Sequence, residues 1–159
     1  MTDAAREAEL YPVGPAVASD AAALASLARA SALPGWSEAS LRAAFADSAM
    51  IARVARSSLR SAHGFVIARC AADEVEILLV AVTPAARRRG VGTALVAAAL
   101  ADAARAGALA AHLEVRASNA AAIALYERLG FFAVGRRPRY YDATEDAVLM
   151  SRALGGDAP

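Results

Sequence analysis

Hydrophobic and polar positions along the 159-residue chain follow two periods that interleave from one end to the other. Apolar residues three or four positions apart predict helices over 21–30, after Ser37, over 90–106 and from 119 to 130. Alternating or continuous apolar runs predict strands over 50–55, 64–70, 75–82, 112–116, 131–135 and 147–151. Because the two kinds of element alternate, the pattern predicts one mixed α/β sheet domain with helices on its faces.

Polar and small residues mark the ends of these elements. Asp20, Ser37 and Asn119 each stand just before a helical stretch, where a side-chain oxygen can accept a backbone N–H bond. Gly107 closes the long third helix, and Ala72-Asp73 predicts a tight turn between two strands.

Composition excludes several classes of protein. Basic and acidic residues nearly cancel, with a formal charge of +1, which argues against a protein that tracks a nucleic-acid backbone. A single cysteine excludes a disulfide framework and a cysteine zinc site, and no metal is expected. The sequence contains no lysine, so every basic residue other than the two histidines is arginine.

The 58% of hydrophobic residues does not predict a membrane protein. The longest apolar stretch, 90–111, is interrupted by Asp102, Arg105 and Gly107, and charged residues in the first ten positions do not resemble a secretory signal. We therefore expect a cytoplasmic protein with a domain over 10–154 and disordered ends at 1–9 and 155–159. Nothing in the composition indicates an oligomeric state.

The loop Arg87-Arg88-Arg89-Gly90-Val91-Gly92-Thr93 lies between an apolar strand and a helix. Glycines let backbone approach a ligand closely, and the unpaired N–H groups at a helix start favour an anion, so a phosphate is its natural occupant. The alternative is a solvated loop whose glycines only shape a turn.

Two named phosphate loops do not fit this segment. A Walker loop requires lysine, which the chain lacks. A dinucleotide fingerprint Gly-x-Gly-x-x-Gly requires glycine where Leu95 stands if it starts at Gly90, and where Arg87 stands if it ends at Gly92.

The predicted strand over 112–116 has one polar face. Side chains alternate along a strand, so His112, Glu114 and Arg116 share a face, and a buried carboxylate there must be paired or used in chemistry. The simplest pairing for Glu114 is an ion pair with Arg116. Asn119 is expected to cap the next helix in any case, and Tyr126 on that helix is expected to be a half-buried aromatic.

The spacing Arg87-x-x-Gly90-x-Gly92 resembles the Arg/Gln-x-x-Gly-x-Gly/Ala loop of the Gcn5-related N-acetyltransferases, and 79–84 resembles that family's splayed fourth strand. The resemblance implies a mostly antiparallel central sheet with helices on both faces and a cofactor cleft between strands 4 and 5. It also implies acetyl-CoA as co-substrate, held by Val80, Ala81, Val82, Arg87, Arg88, Arg89, Gly90, Val91, Gly92, Thr93 and Asn119.

The block Leu113-Glu114-Val115-Arg116-Ala117-Ser118-Asn119, followed by Tyr126, is similar to the hallmark of the bacterial ribosomal-protein N-terminal alanine acetyltransferases (RimI-like). The similarity covers 74–150. It implies that Glu114 is the general base, that Tyr126 is the general acid, and that acetyl passes directly to a protein N-terminal amine in a ternary complex. The partner it implies is an acceptor protein N-terminus, without nucleic acid or membrane.

Two segments depart from this subfamily on the acceptor side. Gly35 is inserted in the Pro34-Gly35-Trp36-Ser37 turn, and the loop over 142–144 is shorter than expected. We nevertheless expect Trp36, Tyr140 and Tyr141 to wall the entry of an acceptor peptide, with ordinary packing as their alternative role.

Two other functions remain open from the sequence. One is a small-molecule amine acetyltransferase on the same scaffold, and the other is a non-catalytic acyl-CoA-binding module. Cys70 is interpreted as an inert strand residue, His63 as a loop residue, and His112 as a neighbour of Glu114.

Overall fold

A computed structural model describes residues 2, 3, 6 and 10–155. Within 10–155 the strands are β1 (Val13–Pro15), β2 (Met50–Arg56), β3 (Ala62–Ala71), β4 (Glu74–Val82), β5 (Ala110–Arg116), β6 (Phe132–Tyr141) and β7 (Glu145–Ala153). The α-helices there are α1 (Ala21–Ala30), α2 (Glu38–Ala46), α3 (Val91–Arg105) and α4 (Ala120–Arg128). Short 3-10 turns lie at Ala18–Asp20 and Pro84–Ala86.

The seven strands form one sheet in the order β1-β2-β3-β4-β5-β7-β6. Neighbouring strands are antiparallel except for β4 and β5, which are parallel and joined by a connection that contains α3. A parallel pair requires such a crossover because a tight turn would reverse the chain. The predicted mixed, mostly antiparallel sheet is confirmed.

Two hydrophobic cores lie on opposite faces of this sheet. Alternation along the strands sends Val54 and Phe65 towards the core that contains α1, and Ala55 and Val66 towards the core that contains α3. Helices therefore cover both faces, as the pattern of the sequence predicted.

A β-bulge in β4 changes the face on which its side chains lie. Ile67 pairs with Leu79 and Ala68 pairs with Ile77, so Leu78 is the extra residue. As a result Ile77 joins the core beside α3, whereas Leu79 joins the core beside α1.

β4 and β5 separate next to this bulge. Their pairing runs from Glu74 with Ala110 to Ile77 with Leu113 and then ends, although both strands continue. The halves over 78–82 and 114–116 consequently form the two sides of an open cleft. This confirms the splayed cleft expected between strands 4 and 5.

The predicted helix caps have different outcomes. Ser37 accepts the N–H of Ser40 at 3.1 Å, and the Asn119 side chain accepts the N–H of Ala122 at 3.2 Å, so both caps are confirmed. The predicted cap by Asp20 on α1 is wrong, because α1 continues directly from a 3-10 turn. The Asp20 carboxylate instead accepts the N–H of Val17 at 2.8 Å, at the start of that turn.

Two strand predictions are corrected. The strand predicted over 131–135 extends to Tyr141, because β7 pairs with the polar continuation that the apolar pattern did not include. His63 lies in β3 rather than in a loop, since its carbonyl oxygen accepts the N–H of Thr83 at 2.8 Å beside the β3–β4 ladder. The short strand β1 was not predicted.

The expectations for the chain ends mostly concern positions outside the described residues, apart from 2, 3, 6 and 155. The domain bounds of 10–154 therefore stay a prediction. No helix among the described residues is both long and apolar enough to cross a membrane. The cytoplasmic location and the absence of nucleic-acid and membrane partners likewise stay predictions.

Asp20 and Arg56 join the start of α1 to β2. The Arg56 guanidinium donates to both carboxylate oxygens of Asp20, at 2.7 and 2.6 Å. Burial on its own raises the pKa of Asp20, but the hydrogen bonds from Arg56 and from the Val17 N–H outweigh it, so the pKa lies below its ordinary value. The pair therefore stabilises the fold above about pH 4, and this contribution is lost as the pH falls below that value.

We predict that Arg56→Ala lowers the free energy of unfolding by about 3 kcal/mol, because it leaves a buried carboxylate without its cation. Urea unfolding at pH 7 measures the loss. Arg42→Ala is the matched control, since the Arg42–Glu38 pair is half exposed and is worth about 0.5 kcal/mol or less. Equal losses in the two variants would contradict the prediction.

Candidate active site

β5 carries a polar face beside the cleft, as predicted. Leu113 and Val115 are buried in the core beside α3, whereas His112, Glu114 and Arg116 lie on the opposite face and are half-buried. The Glu114 side chain is 20% exposed, so it is shielded but reachable from solvent. Glu114 is also the first β5 residue beyond the last β4–β5 pair, which places it where the cleft opens.

Glu114 pairs with a residue that the sequence analysis missed. Arg137 of β6 places its Nε atom 3.0 Å from Oε1 of Glu114. The expected pair with Arg116 is wrong, because the Arg116 guanidinium reaches Glu145 at 3.1 Å and Asp142 at 3.3 Å. Arg137 has no local signal in the sequence, because β5 and β6 are not neighbours along the chain. They approach each other only because both pair with β7.

Two tyrosines at the end of β6 lie beside this carboxylate. Hydrogen bonding to Glu114 raises the pKa of Tyr140, and burial, followed by the charge of Glu114, raises the pKa of Tyr141. The two rings meet edge-on with centroids 5.0 Å apart. Trp36 lies in the α1–α2 loop and packs against the core that contains Leu79 and Ala81 of β4.

A groove of about 670 Å³ extends from Glu114 along the sheet face on which His112 also lies. Its polar lining includes Glu74, Glu76, His112, Arg137 and Ser151. His112 Nδ1 lies 2.7 Å from the Ser151 hydroxyl, and its Nε2 lies 3.4 Å from a Glu74 oxygen. The sequence predicts His112 as a neighbour of Glu114, but it contains no local signal for Ser151, which lies 39 residues after His112.

Tyr126 lies on α4, in the core beside α3. It is 8% exposed, which is more buried than the sequence predicted, and its ring meets Phe131 edge-on at 5.8 Å. Burial, with a smaller contribution from nearby Tyr141, raises the pKa of Tyr126 to about 12. The hydroxyl therefore keeps its proton at neutral pH and is available as a donor.

The loop from Arg87 to Thr93 leaves the start of α3 without a side-chain cap. Gly90 adopts φ +75° immediately before α3, and no side chain caps the first turn of that helix. Arg87 donates from Nε to the Val82 carbonyl oxygen at 3.1 Å, and Arg89 donates to that of Ala85 at 3.2 Å. These arginines hold the loop in shape and are therefore more than solvated charges. Arg88, Val91 and Thr93 lie in the same segment.

Gly92 allows α3 and α4 to approach each other at the mouth of the cleft. A Cβ atom at this position would lie 2.9 Å from Cδ1 of Leu125, which is too close for undisturbed packing. The loop and Val80, Ala81 and Val82 thus line one side of the opening. Asn119 lies after β5 on the other side, with its side chain engaged as a helix cap.

Cys70 does not contribute to this site. Burial raises the pKa of the Cys70 thiol, which keeps it protonated and agrees with an inert strand residue. Within the described part of the chain, no cluster of histidine, cysteine or carboxylate side chains could hold a metal ion.

Comparison with known proteins agrees with this geometry. The family model described as Acetyltransferase (GNAT) family matches residues 23–131, which is more than half of the chain. The chain belongs to the GNAT family. This membership confirms the family resemblance and explains why the cleft and the loop occur together.

The chain is also similar to individual curated proteins of known name. The chain is 43% identical over 90 residues to the ribosomal protein bS18-alanine N-acetyltransferase of Escherichia coli, covering 55% of this chain and 61% of that protein. It is 45% identical over 83 residues to the N-alpha-acetyltransferase RimI of Mycobacterium tuberculosis, covering 52% and 51%. The chain thus spans 61% and 51% of the lengths of these two curated relatives.

Similarity of structure extends further along the chain. The crystal structure of the ribosomal-protein-S18-alanine N-acetyltransferase from Escherichia coli superimposes with a TM-score of 0.82 at 29% identity. The superposition covers 94% of this chain and 98% of that one.

We predict that Tyr126 stays protonated well above the ordinary tyrosine pKa of about 10. In a protein labelled with ¹³C at tyrosine Cζ, the Tyr126 resonance should keep its protonated chemical shift at pH 10.5. Comparison with Tyr126→Phe assigns the signal. A midpoint near pH 10 for that signal would contradict the prediction.

Proposed function

We propose that the protein is an acetyl-CoA-dependent N-acetyltransferase that acts on a protein N-terminal α-amine, specifically the N-terminal alanine of a ribosomal protein. The observation that carries the proposal is the position of Glu114, a half-buried carboxylate at the opening of the β4–β5 cleft that faces an open groove. Membership of the GNAT family and the names of the relatives support the reaction and the substrate class.

The residues around the cleft fit acetyl-CoA. Beyond Ile77 the edge of β4 that faces β5 pairs with no described strand, so backbone groups of Val80, Ala81 and Val82 are available to an extended ligand. The uncapped first turn of α3, entered through Gly90, supplies N–H groups and a helix dipole that suit a pyrophosphate. Arg87–Arg89, Val91–Thr93 and Asn119 complete the proposed binding residues.

Bound acetyl-CoA supplies a thioester-activated acetyl group and a thiol leaving group, and the remaining tasks fall to the protein. A peptide α-amine has a pKa of about 7.7 to 8.0, so it is largely protonated at neutral pH and cannot attack until a base removes a proton. Glu114 is positioned to accept that proton, directly or through one water molecule. The cationic amine would take the place of Arg137, whose exposed pairing with Glu114 is weak.

Tyr126 is proposed in the general-acid position, beside the departing thiolate. Its pKa of about 12 keeps the hydroxyl protonated at neutral pH, so it can stabilise the thiolate by donating a hydrogen bond as the carbon–sulfur bond breaks. Its burial beside the core also keeps water away from the reacting atoms. No covalent bond to the protein is required, which is consistent with direct transfer in a ternary complex.

The proposed acceptor entry lies between two aromatic segments. Tyr140 and Tyr141 stand beside Glu114, and Trp36 packs against the core that contains Leu79 and Ala81 of β4. An N-terminal amine that passed between them would reach Glu114 first. Their role in acceptor binding is part of the proposal, as are the protein acceptor and its terminal alanine.

A second candidate is a small-molecule amine as acceptor. The groove beside Glu114 has the volume of a ligand pocket, and three carboxylates line it against the two guanidinium groups of Arg69 and Arg137. That charge balance would suit a compact polyamine.

We predict that Glu114→Gln lowers kcat/KM for an alanine-starting peptide by about 100-fold or more, because the amide cannot accept the proton. Steady-state kinetics with released thiol as the signal measure the loss. Glu127→Gln is the matched control, since this exposed glutamate on α4 follows Tyr126 but lies outside the cleft, and it should retain normal turnover. Undiminished turnover in Glu114→Gln with Tyr126→Phe would refute both assignments, and no turnover by the wild type on any amine would favour a binding module.

We also predict that cells that lack this chain lose acetyl groups from the N-termini of a small set of proteins that begin with alanine. Mass spectrometry of protein N-termini, compared with cells complemented by the wild type or by Glu114→Gln, measures the loss. Restoration by the wild type alone is the expected result. If all N-termini are unchanged while purified protein acetylates polyamines, the small-molecule candidate is correct instead.

A further inference from the structure

The pairing of β6 with β7 is interrupted between Arg137 and Tyr141. Three residues of β6 (138–140) lie there opposite one residue of β7, which makes a β-bulge. A bulge bends its strand and redirects the side chains near it. Here Arg137 places its Nε atom 3.0 Å from Oε1 of Glu114, and the Tyr140 hydroxyl donates a hydrogen bond to the same carboxylate. The proposed base is therefore engaged by two donors of its own chain before any acceptor arrives.

Arg137 reaches Glu114 along a diagonal of the sheet. Arg137 pairs with Ala147, and Ala147 pairs with Arg116, so the β5 residue level with Arg137 is another arginine. The Arg116 guanidinium is bonded to carboxylates of the β6–β7 hairpin and leaves Glu114 to Arg137. The register of three strands thus selects which arginine pairs with the proposed base.

The two partners of this ion pair differ in exposure. The Arg137 side chain is 57% exposed, whereas that of Glu114 is 20% exposed. The guanidinium carbon of Arg137 also lies 5.5 Å from the centroid of the Tyr140 ring, within the range of a cation–π contact. Arg137 can therefore leave Glu114 for solvent and stay beside an aromatic ring, while the carboxylate remains at the opening of the cleft.

A guanidinium on the carboxylate distinguishes incoming groups by their charge. A protonated amine forms an ion pair with Glu114 and so replaces the pair that it breaks, at little net cost. A water molecule is neutral and forms no such pair, so it does not displace the guanidinium. Without Arg137, Glu114 would be open to water whenever no acceptor is bound.

The reaction that an open base would permit is hydrolysis of acetyl-CoA. Glu114 would take a proton from a water molecule as the water oxygen bonds to the thioester carbon, and the carbon–sulfur bond would break. The proton would then pass to the departing sulfur, which leaves acetic acid and coenzyme A. Acetyl groups would be consumed without an acceptor.

We infer that Arg137 is a specificity-determining residue that masks Glu114 until a cationic acceptor displaces it. It reserves the base for amines and holds back hydrolysis of acetyl-CoA while no acceptor is bound. It also competes with the acceptor for the carboxylate, so it weakens acceptor binding by the strength of the pair. This inference rests on the proposed function.

Hydrolysis of acetyl-CoA by the full chain without any acceptor tests the masking, with released thiol as the signal. At saturating acetyl-CoA we expect Arg137→Met to hydrolyse it about threefold faster than the wild type, the factor that an exposed ion pair supplies. Arg137→Lys retains a cation and should stay close to the wild type. In acetyl transfer, Arg137→Met should lower KM for an alanine-starting peptide by about threefold and leave kcat unchanged, because it removes a competitor for binding.

Two matched comparisons separate masking from a general loss of charge. Arg136 precedes Arg137 on β6, pairs with Val148 of the core beside α3, and so lies on the opposite face, where it reaches Asp146 at 3.4 Å. Arg136→Met should therefore hydrolyse acetyl-CoA at the wild-type rate. In a Glu114→Gln background, Arg137→Met should have no effect, because no carboxylate is left to mask. Thermal unfolding of each variant confirms that it is folded.

Failure of the masking is distinguishable from failure of the proposed function. A wild type that neither binds acetyl-CoA nor acetylates the peptide would contradict the proposed function. If the wild type acetylates the peptide but Arg137→Met hydrolyses acetyl-CoA no faster, however low the basal rate, only the masking is overturned. An equal rise in Arg136→Met, a rise that persists in the Glu114→Gln background, or an unchanged KM for the peptide would overturn it in the same way.

Discussion

The separation of β4 from β5 after four residue pairs is the constraint on which the rest of the site depends. Parallel neighbours normally satisfy each other's backbone groups, and two strands that continue side by side without pairing leave donors and acceptors open. The bulge at Leu78 makes this possible, because it changes the face of β4 at the point where the strands part. The amide groups of an extended ligand can then bond to the open backbone groups of β4, as a neighbouring strand would.

The sequence predicted those features whose partners are close along the chain. Ser37 and Asn119 were identified as caps because the N–H groups they accept lie three residues away. The alternation of His112, Leu113 and Glu114 was likewise predicted, since it depends only on the period of a strand. The loop from Arg87 to Thr93 was found through its glycine spacing, which reflects a local backbone requirement.

Features that depend on distant partners were not predictable in this way. The sequence predicts that Asp20 caps its own helix, whereas its carboxylate pairs with Arg56, 36 residues further along. The period of the strand predicts Arg116 as the partner of Glu114, but tertiary pairing brings Arg137 there instead. The bulge at Leu78 cannot be predicted from the sequence, because the apolar run around it is continuous and no residue in it indicates that the side chains change face.

β6 also affects how the molecule meets copies of itself. It is one of the two edge strands of the sheet and is exposed over nearly its whole length, with Phe132 and Val134 open to solvent. Such an edge is a template for sheet-to-sheet aggregation. The register break between Ala133 and Gly135 and the missing N–H of Pro138 interrupt that template. The edge that carries the two tyrosines is thereby protected from adding another chain.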